Sequence, residues 1–166
     1  MRYVMRQKLF SLRDSFEITD EHEQLAFTAK SKFLSIKKSF TLKDHHEIEI
    51  AFIKQQLFAI KPKFEFTNPE GQKALLKKHF FPLFSHKFSL FFGREKIEIE
   101  GNIWAHEYQF SLNGQVIAEI SKKWFSWSDT YGVDIYEEQF NWLVMSTVIA
   151  IDCIIHDDKN SNFDVG

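Results

Sequence analysis

Phe33-Leu34-Ser35-Ile36-Lys37-Lys38-Ser39-Phe40 decides the fold, because the same phrase recurs at a fixed interval. Its pattern is two apolar residues, a small one, an apolar one, two turn-like residues, one more, then an aromatic. It stands 24 residues earlier as Leu9-Phe10-Ser11-Leu12-Arg13-Asp14-Ser15-Phe16 and 24 later as Leu57-Phe58-Ala59-Ile60-Lys61-Pro62-Lys63-Phe64. A copy shortened by two residues is Leu83-Phe84-Ser85-His86-Lys87-Phe88, and a last one is Trp124-Phe125-Ser126-Trp127-Ser128-Asp129-Thr130-Tyr131. Recurrence at a constant period marks a repeated supersecondary unit.

Each phrase runs into an alternating segment: Phe16-Glu17-Ile18-Thr19, Phe40-Thr41-Leu42-Lys43, Phe64-Glu65-Phe66-Thr67. Period-two alternation is that of a half-buried strand. Polar turns follow at Asp20 to Glu23, Asp44 to Glu47 and Asn68 to Gly71, and further strands are expected at Ile48 to Phe52, Ile97 to Glu100, Tyr108 to Leu112 and Val116 to Ile120. The last two flank Asn113-Gly114, a strong short hairpin signal. Gln72 to His79 reads equally as a helical turn or a strand. The whole is a meander of hairpins over roughly residues 1–135.

From Phe140 to Ile155 apolar residues point in every direction, broken only by Asn141, Ser146, Thr147 and Asp152. Glu137 and Glu138 stand where the positive end of a helix would begin. A central helix over roughly 137–155 and a polar tail over 156–166 are expected. A helix apolar all round is buried in protein or in a bilayer. The uninterrupted stretch, at about 1.5 Å per residue, spans roughly 24 Å, short of the roughly 30 Å hydrocarbon core. Burial within the chain's own sheet is therefore expected, with the sheet closed around the helix and its edges removed. No transmembrane segment is expected.

Composition agrees with one β-rich domain over 1–166: 19 Phe, 4 Trp and 4 Tyr stand against 3 Pro and 6 Gly. The single Cys153 forms no internal disulfide, and the opening residues alternate charge with apolar side chains, unlike a signal peptide. A cytoplasmic protein is expected, with peripheral attachment to a membrane as an option. Charge is segregated along the chain. Met1 to Glu23 carries 4 Lys+Arg against 5 Asp+Glu, Gln24 to Ile97 carries 14 against 6, and Glu98 to Gly166 carries 3 against 12.

Arg6-Gln7-Lys8-Leu9-Phe10-Ser11-Leu12-Arg13-Asp14-Ser15-Phe16 and the run from Ile120-Ser121-Lys122-Lys123-Trp124 through Thr130-Tyr131-Gly132-Val133 resemble the LURP-one-related family, within the tubby C-terminal-like superfamily that also includes phospholipid scramblases. The resemblance covers essentially the whole chain. It implies a mainly β protein, a closed antiparallel barrel of about twelve strands around a central hydrophobic C-terminal helix. For function it implies less, since fold does not fix activity. Tubby proteins are associated with phosphoinositides, and scramblases with lipid movement and calcium. None of their functional residues transfers to this chain position by position.

Catalytic signatures are absent from the sequence: it has no phosphate-cradling glycine loop, no Gly-x-Ser-x-Gly elbow and no Cys cluster. No enzymatic activity, cofactor or nucleic-acid partner is expected. Cys153 lies in an apolar helix, where a core role outweighs a nucleophilic one. Asp44-His45-His46-Glu47 offers metal-binding residue types, but adjacent residues make a poor ligand set and a hairpin turn accounts for them. Trp124, Phe125, Trp127 and Tyr131 could form a binding patch, though alternation between core and surface is the simpler expectation. Asp152, a carboxylate on an apolar helix, must be paired, protonated or near water. Bonding to barrel backbone near the helix end, with His156 close by, is expected.

In a meander alternate turns lie at opposite ends. The turns bearing Lys37, Lys38, Lys61, Lys63 and Lys87 should therefore form one basic rim, and those at Asp20 to Glu23, Asp44 to Glu47 and Asn68 to Gly71 an acidic one. The basic rim is the candidate site for anionic lipid headgroups or another phosphate-bearing ligand. The alternative is a structural or regulatory barrel that binds a protein partner.

Overall fold

The computed structural model of the chain describes residues 1–8, 15–31, 38–56, 62–79, 87–123 and 130–163. The strands are β1 (Arg2–Lys8), β2 (Ser15–Asp20), β3 (Leu25–Ser31), β4 (Ser39–Asp44), β5 (Glu49–Gln55), β6 (Lys63–Thr67), β7 (Lys73–His79), β8 (Lys87–Phe92), β9 (Glu95–Asn102), β10 (Glu107–Leu112), β11 (Gln115–Ser121) and β12 (Thr130–Ile135). Each pairs antiparallel with its neighbours in sequence, and β1 pairs with β12, so all twelve close into a barrel. Closure satisfies the edges that an open sheet would expose. The segment with two readings, Gln72 to His79, is the strand β7, and Ile48 belongs to the turn before β5.

The 24-residue repeat is structural. In its first two copies Asp20 Oδ1 accepts from the backbone of His22 and Gln24, and Asp44 Oδ1 accepts from His46 and Ile48. In the third, Asn68 Oδ1 accepts from Gln72. Each turn places a residue in the left-handed region: Glu23 at φ 61°, Glu47 at φ 62° and Gly71 at φ 78°. Short Asp and Asn side chains stabilise such turns by bonding the backbone ahead of them. The first two copies also share a bulge, at Ala26 and at Ile50, where the register steps by one residue. Asn113 and Gly114 both take positive φ, 51° and 81°, in the β10–β11 hairpin, as a type I′ turn requires.

Inward positions follow the alternation. The aromatic that closes each phrase is the second residue of an even-numbered strand and is buried: Phe16, Phe40, Phe64, Phe88 and Tyr131, with Tyr108 supplying the same position in β10. Phe16 and Phe40 meet edge to face at 5.7 Å. Within the barrel large residues sit directly opposite alanines, as in Phe16↔Ala29, Leu42↔Ala51, Phe66↔Ala74 and Phe110↔Ala118. The small partners leave room for a helix about 10 Å across.

That helix, α1 (Asn141–Phe163), follows a 3₁₀ turn at Glu138–Phe140. It starts later and runs farther than the sequence pattern implies, continuing to Phe163 through most of the expected polar tail 156–166. The apolar run ends at Ile155, but nothing in the sequence stops the helix there: no Gly or Pro falls between His156 and Phe163. At about 1.5 Å per residue the full helix is roughly 34 Å long, so length does not separate it from a membrane span. Burial does: Glu138–Asp157 is long and apolar enough to cross a bilayer, yet 78% of its most apolar stretch is buried inside the barrel.

Candidate functional site

Because the strands alternate direction, the barrel has two distinct ends. One gathers the β2–β3, β4–β5, β6–β7, β8–β9 and β10–β11 turns and the start of α1; the other gathers the remaining connections and the end of α1. Of the predicted basic residues, Lys38 directly precedes β4, Lys63 opens β6 and Lys87 opens β8, all at the second end. Lys37 and Lys61 lie outside the described residues, as do Trp124, Phe125 and Trp127. Lys38 is not free: its Nζ pairs with Asp157 of α1 at 2.5 Å. Lys63 has Lys77 as its cross-strand partner, and Lys78 on the same strand points inward opposite Phe88 and is 4% exposed. Sequence reading named neither Lys77 nor Lys78, although both follow from the alternation in β7.

Inside the same end lies Asp152, 3% exposed. Tyr131 Oη donates to its Oδ2 at 2.7 Å, and His106 Nε2 lies 3.0 Å from Oδ1. The His106 ring stacks on Tyr131, with centroids 4.4 Å apart. His106 reaches this position from the β9–β10 connection, where a 3₁₀ turn at Ile103–Ala105 ends with His106 at φ 54°. The expectation that barrel backbone bonds the carboxylate is therefore corrected: side chains from two distant strand ends hold it. The contact depends on which strands flank the helix, and local spacing around residue 152 does not carry that.

The hydroxyl of Tyr108 and Nδ1 of His106 are buried without a hydrogen-bond partner among the described residues. Burial pushes the Tyr131 phenol well above its ordinary value, and the nearby Asp152 charge adds to this. Tyr108 is raised for the same two reasons in the same order. Phenols held protonated are donors, so Tyr131 serves the carboxylate as a fixed hydrogen-bond source. The arrangement clasps α1 to β12 and to the β9–β10 hairpin. Cys153, beside it, is buried.

At the first end, Asp44 spends Oδ1 on its own turn, with His45 and His46 exposed beside it. Among the described residues no group of three or more His, Cys, Asp or Glu is placed to hold a metal ion. The three homologous turns instead border a groove of about 900 Å³, lined by Leu25, Phe27, Ile48, Ile50 and Trp142 among others.

A twelve-stranded barrel wound around its own C-terminal helix defines the class. The chain belongs to the LURP-one-related family, whose match covers residues 1–152. It is similar to the uncharacterized protein YxjI of Bacillus subtilis (strain 168), 29% identical over 158 residues, covering 95% of this chain and 96% of the relative.

Proposed function

We propose that this chain is a non-enzymatic binding module that engages anionic headgroups of lipids, or another phosphate-bearing ligand, through the basic end of its barrel. The observation that carries the reading is topological. Lys38, Lys63 and Lys87 enter three successive even strands from one end, while Asp20, Glu21, Asp44, Glu47 and Glu70 occupy turns at the other. In sequence, Lys37 falls between β3 and β4 and Lys61 between β5 and β6, the connections that belong to the same end as Lys38, Lys63 and Lys87. Each lysine near an anionic surface is worth about 1 kcal/mol, and the attraction is screened over about 8 Å at physiological salt. A phosphate at Lys38 competes with Asp157. The protein then works in the cytoplasm, peripherally at a membrane.

Sedimentation with phosphatidylserine-containing vesicles, against phosphatidylcholine alone and across salt concentrations, tests this reading. Competition by soluble inositol phosphate separates a headgroup site from a requirement for the membrane surface. Replacing Lys37, Lys38, Lys61 and Lys63 with Glu should abolish binding. If the parent shows no salt-sensitive binding, or the variant binds equally well, the basic end is a solvated rim and the protein-partner reading replaces it. That second reading has its own support in the apolar groove at the opposite end.

A further inference from the structure

We infer that the groove at the acidic end of the barrel is a docking site for an extended partner segment in which basic and apolar residues alternate. The first observation is exposure. Met1, Leu25, Ile48 and Tyr136 are the large hydrophobic residues exposed among those described, and the first three line this groove. Ile48 is 60% and Leu25 45% exposed. Scattered exposed apolar residues are ordinary, but apolar residues clustered in one concavity mark a contact surface.

The repeat shows that these residues are departures from the local pattern. The position of Ile48 is Gln24 one copy earlier and Gln72 one copy later; that of Leu25 is Glu49 and then Lys73. The turn accepts polar residues at both positions, so folding does not require Leu25 or Ile48 there. Beneath them, Phe27, Ile50 and Trp142 are half-buried, and Trp142 is held edge to face on Phe92 at 5.6 Å. The floor is thus apolar and braced by the helix.

The second observation is charge. Asp20, Glu21, Asp44, Glu49, Glu70 and Glu138 line the groove, whereas its one arginine, Arg2, is committed to Asp134 at 2.7 Å. Among the described residues no lysine or arginine pairs with Glu49, Glu70 or Glu138. An apolar floor beneath an acidic rim is complementary to a strand whose apolar side chains point down and whose cations point up. An extended segment presents its side chains in that alternation. From the β2–β3 turn to the β6–β7 turn is four strand spacings of about 4.8 Å, a reach that roughly six extended residues cover.

The probe is a dye-labelled peptide of about twelve alternating Lys and Leu residues, read by fluorescence polarisation against Lys-Ser and Glu-Leu peptides of equal length. The Lys-Leu peptide should bind saturably, the Lys-Ser peptide roughly tenfold or more weakly, and the Glu-Leu peptide not at all. Ile48→Gln and Leu25→Gln, combined, should weaken Lys-Leu binding by about tenfold or more. Because Gln is what neighbouring repeat copies carry at Ile48, melting should stay at the parental value. Glu49→Gln with Glu70→Gln should reduce the salt dependence of binding. Equal binding of Lys-Ser and Lys-Leu peptides, or parental affinity in the Gln variants, would overturn the proposal. So would concentration-dependent self-association of the parent that Ile48→Gln abolishes, since a second copy would then occupy the groove.

Discussion

The phenol of Tyr131 donates a 2.7 Å hydrogen bond to the carboxylate of Asp152, joining the strand that closes the barrel to the helix it encloses. Tyr108, one even strand away, carries the same hydroxyl in the same buried layer but without a hydrogen-bond partner among the described residues. The two tyrosines should therefore respond differently to loss of the oxygen. Tyr131→Phe removes a bond to a charged acceptor, worth about 1.5–3 kcal/mol. For a chain of this size that lowers the melting temperature by roughly 3–12 °C. Tyr108→Phe removes an unsatisfied polar atom and should leave melting unchanged or raise it. Equal destabilisation by both would show that the asymmetry is wrong.

The same pair sets an alkaline limit on stability. Both phenols are raised well above the ordinary value, chiefly by burial. Above about pH 10 the unfolded chain releases these protons while the folded chain retains them. The unfolded state then binds fewer protons, so stability is complete below about pH 10 and falls as pH rises toward the folded values. Each phenol contributes a slope of up to about 1.4 kcal/mol per pH unit. Tyr136, pushed up to about 12 by its bond to Glu119, is 54% exposed and adds little. Urea unfolding between about pH 9 and 11 should show a shallower decline when Tyr108 and Tyr131 are both Phe; parallel declines would assign it to other groups.

The aromatic layer was legible because it coincides with the repeat: Phe16, Phe40, Phe64, Phe88 and Tyr131 end successive copies of one phrase, and alternation sends each inward. The barrel followed from the helix, whose apolar residues on all sides had to be covered. Convergence on Asp152 was not legible in the same way. His106 and Tyr131 lie 46 and 21 residues from it, and only the closed strand order brings them together. One signal was present, since Tyr replaces Phe in the last copy of the phrase, where a hydroxyl would have no use against an apolar neighbour. The groove likewise had a trace in Leu25 and Ile48, which break the polar pattern of their repeat positions.

Turn chemistry gives a further test within the repeat. Glu23 and Glu47 hold left-handed backbone that the third copy assigns to Gly71. An L-residue with a Cβ pays roughly 1–2 kcal/mol there, partly offset because glycine loses more freedom on folding, by about 0.4–1 kcal/mol. Glu23→Gly should accordingly stabilise the protein, by up to about 1.5 kcal/mol. Gly71→Glu should destabilise it by a similar amount. Chemical denaturation measures both, and a destabilised Glu23→Gly would mean that the Glu23 side chain makes an interaction outweighing the strain.

Gly101 differs from the turn glycines because space, and not only φ, demands it. A Cβ there would lie 2.5 Å from the Glu107 carbonyl oxygen and 2.7 Å from the Tyr108 Cα, both backbone atoms of the paired strand. Gly93 and Gly114 also take positive φ, 58° and 81°, yet a Cβ on either meets nothing within 4 Å. Gly93→Ala and Gly114→Ala should therefore cost only the conformational strain of about 1–2 kcal/mol, less about 0.4–1 kcal/mol for the freedom glycine loses on folding. Gly101→Ala adds a collision between β9 and β10, so strain of about 1–3 kcal/mol and overpacking of about 1–3 kcal/mol combine. The displacement is directed at Tyr108 and at His106 on the same hairpin, and so at the Asp152 clasp. Beyond a lower melting temperature, the NMR signals of the His106 ring, shifted by its stacking on Tyr131, should move in Gly101→Ala and hold still in Gly93→Ala. If all three variants melt alike, the close approach of Gly101 to β10 carries no energetic weight.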